Sequence, residues 1–308
     1  MASWGLPYRG SKSKIAEKIF MLLPVGHRFV DLFGGGGAMS HCATRYYRQV
    51  LYNDIDPLTV EYFTRAMNGD YDIRWINREE FNRLKHSDPI VKYIWSFSNN
   101  GRSYLYPDDI APWKHALWKA RYEGDMSILQ EMGIEDCSRA YLISQGDEII
   151  EKYCAWIGRD VKNSLSIPKL QSLECLERLK RLKRPEDVKS YMCNLEISNM
   201  DYRDYVYQDG DIVYCDIPYA NTEGYDGTSA NTDFDTEAFL EWVRTRPYQV
   251  YFSSYSAPDE FYKEEIATVT AFSGDKAHQA RRTENLYSNG KIRKTIWEII
   301  DDYSERTI

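Results

Sequence analysis

The chain has 308 residues, 43% of them hydrophobic, with a formal charge of −8 and an isoelectric point near 5.3. That length accommodates one large α/β domain or a core domain with a substantial insertion. No apolar segment is long enough to span a bilayer and no basic-then-apolar leader opens the chain, so a cytoplasmic protein is expected.

In chain order, Ile15, Ile19, Leu22 and Leu23 recur on one face of a helix predicted over 11–23, with Ser11 or Ser13 as its cap. Arg28 to Phe33 reads as a short strand ending in the four glycines Gly34 to Gly37, and Ala38 to Tyr47 as the helix after them. Gln49 to Asn53 is a second strand, closed by Asp54. Pro57 fits the first position of a helix running to Asn68, with Gly69 as its stop. Strand, glycine turn, helix, strand, acid, helix is a βαβ order, so the first part predicts a parallel sheet.

From about 71 to 190 the alternation stops. Aromatic, charged and helix-favouring residues dominate, with a loop-like run Phe97-Ser98-Asn99-Asn100-Gly101-Arg102 near the start. Leu170, Leu173, Leu176, Leu179 and Leu182 form a stripe that reads as core packing. This stretch is expected to be an insertion, leaving 1–70 and 191–308 as the main domain. Strands are then predicted over 191–197, 212–215, 250–253, 266–272 and 292–300, with a helix over 234–246.

Two places carry chemistry. Glycines at a strand-to-helix turn admit a ligand to the backbone, or simply make a tight turn. Asp54, twenty positions after Gly34, stands where an acid accepts hydrogen bonds from a ribose diol. A dinucleotide enzyme would use the same geometry, but Ala38, Met39 and Ser40 follow Gly37, so the third glycine of G-x-G-x-x-G is missing. The second place is Asp216-Ile217-Pro218-Tyr219, after the apolar run Ile212 to Cys215. It is either a strand-end turn or a grip for a planar amine: a carboxylate, a carbonyl constrained by the following proline, and a ring. Two acceptors aimed at the hydrogens of an aryl amine favour a pyramidal nitrogen whose lone pair can attack.

Cys42, Cys137, Cys154, Cys175, Cys193 and Cys215 include no C-x-x-C pair, which argues against a disulfide framework and a zinc site; no metal is expected, and Cys215 reads as a buried strand residue. The acidic average does not advertise a nucleic-acid binder. Two basic runs go against it: 159–189, with nine Lys or Arg against five acids, and 275–294, with Lys276, Arg281, Arg282, Lys291, Arg293 and Lys294 against Asp275 and Glu284. Each is a solvated face or part of a phosphate-binding surface.

Taken together, Tyr8-Arg9-Gly10-Ser11-Lys12, the Phe33 to Gly37 turn, Asp54, the run Trp95 to Gly101, the Leu- and Arg-rich helix near 170–184, Asp201-Tyr202, Cys215 to Tyr219 and Glu284 to Tyr287 resemble the Dam-type DNA adenine methylases, phage and prophage members in particular. The resemblance covers nearly the whole chain. It implies a Rossmann-like α/β methyltransferase sheet, mostly parallel with one antiparallel strand, carrying a largely helical target-recognition insertion. It further implies S-adenosyl-L-methionine as cofactor and site-specific transfer of a methyl group to the exocyclic amine of a flipped-out adenine in double-stranded DNA. By position, Tyr8 and Lys12 would lie near the methionine end of the cofactor, Phe33, Gly35 and Gly37 beside it, Asp54 on the ribose, and Asp201 or Tyr202 near its adenine. Asp216, Ile217, Pro218 and Tyr219 would hold the target base, with Asp216 also facing the cofactor. Asn99, Asn100, Arg102, Arg281 and Arg282 are the DNA-binding candidates. A monomer is expected, with a restriction endonuclease as one conceivable partner. The family usually has Pro where this chain has Ile217. Other functions fit parts of the pattern: cytosine-amine methylation, which more often goes with Ser in place of Asp216, a catalytically impaired DNA-binding homologue, and a nicotinamide oxidoreductase.

Overall fold

The structure is a computed structural model that describes residues 4–183, 193–218, 234–270 and 281–292. The chain divides into two compact units, Met1–Tyr71 with Leu182–Ile308 and, between them in sequence, Asp72–Arg181.

The first unit is built on one seven-stranded sheet. Its strands are β1 (Arg28–Asp31), β2 (Gln49–Asn53), β3 (Asn194–Ser198), β4 (Asp211–Cys215), β5 (Val250–Ser254), β6 (Tyr262–Thr270) and β7 (Arg281–Ser288), in the order β3-β2-β1-β4-β5-β7-β6. β3, β2, β1, β4 and β5 are mutually parallel, and β7 runs antiparallel to both of its neighbours. The mostly parallel sheet with one reversed strand is therefore as expected. Three of the helices are α1 (Ala16–Leu22), α2 (Ala38–Ala43) and α3 (Pro57–Asn68).

The two-residue period of the strands sorts their side chains onto two apolar layers. Phe29, Tyr214, Tyr251 and Leu286 point into one, shared with Phe20 of α1 and Met39 of α2. Val30, Val213, Cys215, Phe252 and Tyr287 point into the other, shared with Phe239 and Val243. Burial on both faces explains why Ile212 to Cys215 of β4 reads as a continuous apolar run rather than an alternating one.

Helix α3 has the predicted bounds. Asp56 accepts from the Leu58 N–H, Pro57 opens the helix, and Gly69 closes it at φ 69°. Helix α1 starts later than the periodicity predicts and has no side-chain cap. Ser11 and Ser13 are engaged elsewhere, the Ser13 hydroxyl accepting from the Trp4 N–H at 2.9 Å and the Ser11 hydroxyl from the Ser13 N–H at 3.3 Å. The last strand of the prediction, 292–300, lies outside the described residues except for Ile292, which is not in a strand. The strand beside β5 is Arg281–Ser288, within the basic run 275–294, where no strand was predicted before residue 292.

The second unit is helical, with one short bridge between Ser96 and Tyr104. Its helices are α4 (Arg78–Leu84), α5 (Pro89–Ile94), α6 (Ala111–Trp118), α7 (Ser127–Glu131), α8 (Arg139–Ser144), α9 (Gly146–Ile157), α10 (Ile167–Gln171) and α11 (Glu174–Arg181). Its interior holds the fully buried Trp95, Trp113 and Trp118. Within this unit the leucine stripe is core, with Leu170, Leu173 and Leu179 buried, but it spans two helices. The break falls at Ser172, where the buried Lys114 ammonium donates to the carbonyls of Lys169 at 2.5 Å and Ser172 at 2.6 Å. A cation on the last carbonyls of α10 stabilises that end. In the first unit, a twelfth helix, α12 (Thr236–Arg244), is capped by Asp235, whose side chain accepts from the Ala238 N–H.

Candidate active site

Parallel strands place their carboxyl-terminal residues on one rim of the sheet, and the chemistry-bearing residues gather there. Asp31 ends β1, Asn53 and Asp54 follow β2, Asp216 follows β4, and Ser253 lies near the end of β5.

After β1 the chain turns through Gly34 to Gly37, with Gly35 at φ 49° and Gly37 at φ 69°. The turn is held to β2 by the Gly34 N–H donating to the Asn53 carbonyl at 2.7 Å and the Gly35 N–H donating to Asp54 Oδ2 at 2.8 Å. The other Asp54 oxygen accepts the Asp56 N–H at 2.9 Å. Asp54 thus braces the turn from which a ribose site would be built. The protein's own rings also occupy the space freed by the missing side chains. A Cβ at Gly34 would lie 2.3 Å from the Tyr52 ring, at Gly35 2.9 Å from Tyr8, at Gly36 2.5 Å from Tyr8 and at Gly37 2.1 Å from Phe63. Tyr52 and Phe63 stack at 4.2 Å, and the Tyr52 hydroxyl donates to the Gly35 carbonyl at 2.8 Å. The four glycines are required by packing as well as by any ligand.

Asp31 is 1% exposed. Its Oδ2 accepts from the Ser40 N–H at 3.1 Å and the Ser40 hydroxyl at 2.7 Å, while Oδ1 has no hydrogen-bond partner among the described residues. Burial pushes this carboxyl up to about 7, and the carboxylates of Asp216 and Asp54 add to the rise.

Asp216 stands just beyond β4, its side chain 20% exposed. Its Oδ1 accepts from the Lys12 ammonium at 2.6 Å and from the Ser253 hydroxyl at 3.1 Å. The Ser253 oxygen in turn accepts from the Tyr214 hydroxyl at 2.9 Å. Oδ2 has no hydrogen-bond partner among the described residues. Lys12 is itself buried; burial lowers its basicity, but Asp216 and then Glu284 outweigh that and hold it above the ordinary lysine value. Ile217 is 4% exposed and packs in the apolar layer with Phe239 and Phe252. An aliphatic side chain has a core role at this position, and the backbone carbonyl is retained. The Cys215 thiol is fully buried and pushed well above its ordinary value, so it is held protonated rather than poised as a nucleophile.

Phe33 lies in an aromatic group with Tyr202 at 5.4 Å, Phe234 at 5.6 Å and Phe239 at 5.9 Å between ring centroids. Asp201 opens the 3-10 turn Tyr202–Asp204 by accepting the Arg203 N–H at 2.9 Å, and it also pairs with the Arg203 guanidinium at 2.5 Å.

Sequence-predicted residues of the first unit therefore meet at Lys12–Asp216, Gly35–Asp54, Tyr8 against Gly35 and Gly36, and Phe33–Tyr202. Tyr219 lies outside the described residues, and for Arg281 and Arg282 only the strand position is described. Asp31, Ser253, Tyr214 and Glu284 are part of the cluster and carried no role in the sequence reading. Asp31 obeys the same rule that selected Asp54 and Asp216, an acid at the end of a buried strand. Ser253 and Glu284 have no such local signal, because only the β4-β5-β7 pairing brings them to Asp216 and Lys12.

In the second unit the loop 96–104 is tightly built. The Phe97 N–H donates to the Ser103 carbonyl at 2.7 Å, and Ser98 and Asn99 adopt φ 53° and 54°. The Asn99 amide donates to the Tyr93 carbonyl at 2.7 Å, and Asn100 Oδ1 accepts from the Arg102 N–H at 2.8 Å. The side chains of both asparagines thus shape the loop. Arg178 of α11 donates to the carbonyls of Ile94 at 2.9 Å and Ser96 at 2.6 Å, and Phe97 stands 62% exposed.

The strand order, the glycine turn after β1 and the acid after β4 define a Rossmann-like methyltransferase. Residues 8–97 match the family described as D12 class N6 adenine-specific DNA methyltransferase, and the chain is accordingly an enzyme of adenine-specific DNA methylation. The matched span holds Tyr8, Lys12, the glycine turn and Asp54, and ends before β4. No curated protein matches the chain. Among the described residues no helix is long and apolar enough to cross a membrane.

Proposed function

We propose that the chain uses S-adenosyl-L-methionine to methylate the exocyclic amine of adenine in double-stranded DNA, at a base turned out of the helix. The observation that carries this reading is Asp216. One carboxylate oxygen is saturated by Lys12 and Ser253, and the other has no partner among the described residues. A carboxylate held on one side and open on the other accepts one hydrogen of an amine in a fixed direction. The Ile217 carbonyl, restricted by Pro218, accepts the second, and Tyr219 stacks on the base. With both hydrogens engaged, the nitrogen lone pair is directed away from the ring, and the positive charge that develops on nitrogen meets a carboxylate set in advance.

The residues fit the cofactor. When bound, S-adenosyl-L-methionine supplies an electrophilic methyl group on a sulfonium. Asp54 and Asp216 both lie within electrostatic reach of Asp31, and Asp31 has a buried oxygen with no hydrogen-bond partner among the described residues. A group of carboxyl side chains, one of them with an unused acceptor, suits a ligand carrying a sulfonium and an ammonium. In this reading Tyr8, Lys12, Gly35 and Gly37 lie along the methionine end, Asp54 holds the ribose, and Phe33 with Asp201 or Tyr202 lines the adenine site.

Taking an adenine out of the duplex costs on the order of a few kcal/mol, which DNA contacts must offset. Asn99, Asn100 and Arg102, in the helical unit we assign to target recognition, and Arg281 and Arg282 on β7 are the residues proposed to supply them. Asp216→Ala tests the assignment: methyl incorporation is expected to vanish while cofactor binding, measured by calorimetry, stays largely intact. Near-normal turnover would refute the role given to Asp216. Digestion of the methylated DNA and identification of the modified nucleoside separates the adenine amine from the cytosine amine.

A further inference from the structure

Glu284 is 2% exposed, on the reversed strand β7, and nothing in the proposed reaction uses it. Its Oε1 lies 3.8 Å from Lys12 Nζ, the same ammonium that donates to Asp216 Oδ1 at 2.6 Å. The side chains of Lys12, Asp216 and Glu284 are 7%, 20% and 3% exposed. One ammonium is thus shared by two carboxylates in a site mostly closed to water.

A lone Lys12–Asp216 pair would be neutral. A buried neutral pair gives little help to positive charge growing on a substrate nitrogen, because the ammonium beside the carboxylate opposes it. A second carboxylate 3.8 Å from the Lys12 ammonium changes the sum of these three groups to one cation and two anions. The Tyr214 and Ser253 hydroxyls orient Asp216 but add no net charge.

We propose that Glu284 is a positioning residue for methyl transfer. By sharing the Lys12 ammonium with Asp216 it keeps the buried trio at one net negative charge, so that Asp216 remains an electron-rich acceptor. The inference rests on the assignment of Asp216 as the amine acceptor. The ordinary alternative is that Glu284 only neutralises a buried lysine, and that task Asp216 already performs.

Charge arithmetic separates the two. Glu284→Gln keeps the shape and leaves the trio neutral; Lys12→Met takes from two carboxylates the ammonium they share; the double variant returns the trio to one net negative charge. Single-turnover methylation, cofactor and DNA Kd values, and thermal melting without ligands are measured for all three. Glu284→Gln is expected to lower the methylation rate about ten- to a hundredfold with both Kd values within about threefold. The double variant is expected to methylate faster than Lys12→Met and to melt about 5 °C higher. Wild-type turnover in Glu284→Gln, or a double variant no better than Lys12→Met in rate and melting, would overturn the proposal. Should Glu284→Gln not fold, the comparison of the double variant with Lys12→Met decides. Asp216→Ala run alongside keeps the two ideas apart. Turnover without Asp216 removes the assignment beneath the inference, whereas loss of turnover with an active Glu284→Gln removes the inference alone.

Discussion

Asp31→Asn tests the electrostatics of the rim directly. In the folded protein the Asp31 carboxyl is pushed up to about 7, by burial first and then by Asp216 and Asp54, against an ordinary value of 3.8. Between those two pH values the folded protein keeps a proton that the unfolded chain has released. Folding is therefore favoured below about pH 4, and this contribution is lost progressively as the pH rises to about 7. A difference of about three pKa units at 1.36 kcal/mol each amounts to about 4 kcal/mol lost across that window. Asparagine preserves the acceptor for the Ser40 N–H and carries no charge at any pH. Urea denaturation of both proteins from about pH 4.5 to pH 8 isolates the group, since every other titration is common to the pair. The stability of the native protein relative to the variant should fall by about 3 kcal/mol between about pH 4.5 and pH 8, the rest of the loss lying below that range, with the variant the more stable at the alkaline end. Parallel curves would refute a neutral buried Asp31. If the rim binds the cationic cofactor as proposed, binding should also draw a proton out of the native protein near pH 6.5. Calorimetry in buffers of different ionisation heat would detect that release, and Asp31→Asn should lack it.

Two further substitutions probe the frame around the site. Gly37→Ala sets a Cβ 2.1 Å from the Phe63 ring at φ 69° and should cost about 3 kcal/mol or more; an unchanged denaturation midpoint would show that the turn relaxes freely. Arg178→Ala removes the guanidinium that fastens the Ile94 and Ser96 carbonyls, a loss of about 1.5–3 kcal/mol per charged hydrogen bond. It should raise the KM for DNA while cofactor affinity stays as it was, and equal KM values would separate the 96–104 loop from DNA recognition.

Local rules carried the sequence a long way. Pro57 and Gly69 bound α3 because proline preorganises a first turn and glycine accepts the left-handed stop, and both effects act within a few residues. Asp54 and Asp216 were legible because an acid ending an apolar run in a βαβ order can only reach the strand-end rim. The leucine stripe was legible as core, but not the break within it. A periodicity has no knowledge of Lys114, which lies more than fifty residues away and caps the end of α10. The strand over 281–288 was missed for a related reason. The segment 281–288 carries Arg281, Arg282 and Glu284, so its charge hides an alternation that becomes visible only when Leu286 and Tyr287 divide between the two apolar layers.

By itself, then, the chain's order of residues determined the parallel core, its glycine turn and the acid at the end of β4, since each depends on neighbours in sequence. Only the tertiary structure decided what surrounds that acid. Lys12, Ser253 and Glu284 come from three distant segments, and they meet because β7 inserts antiparallel beside β5. The charges of Lys12 and Glu284 matter because burial removes the water that would otherwise screen them.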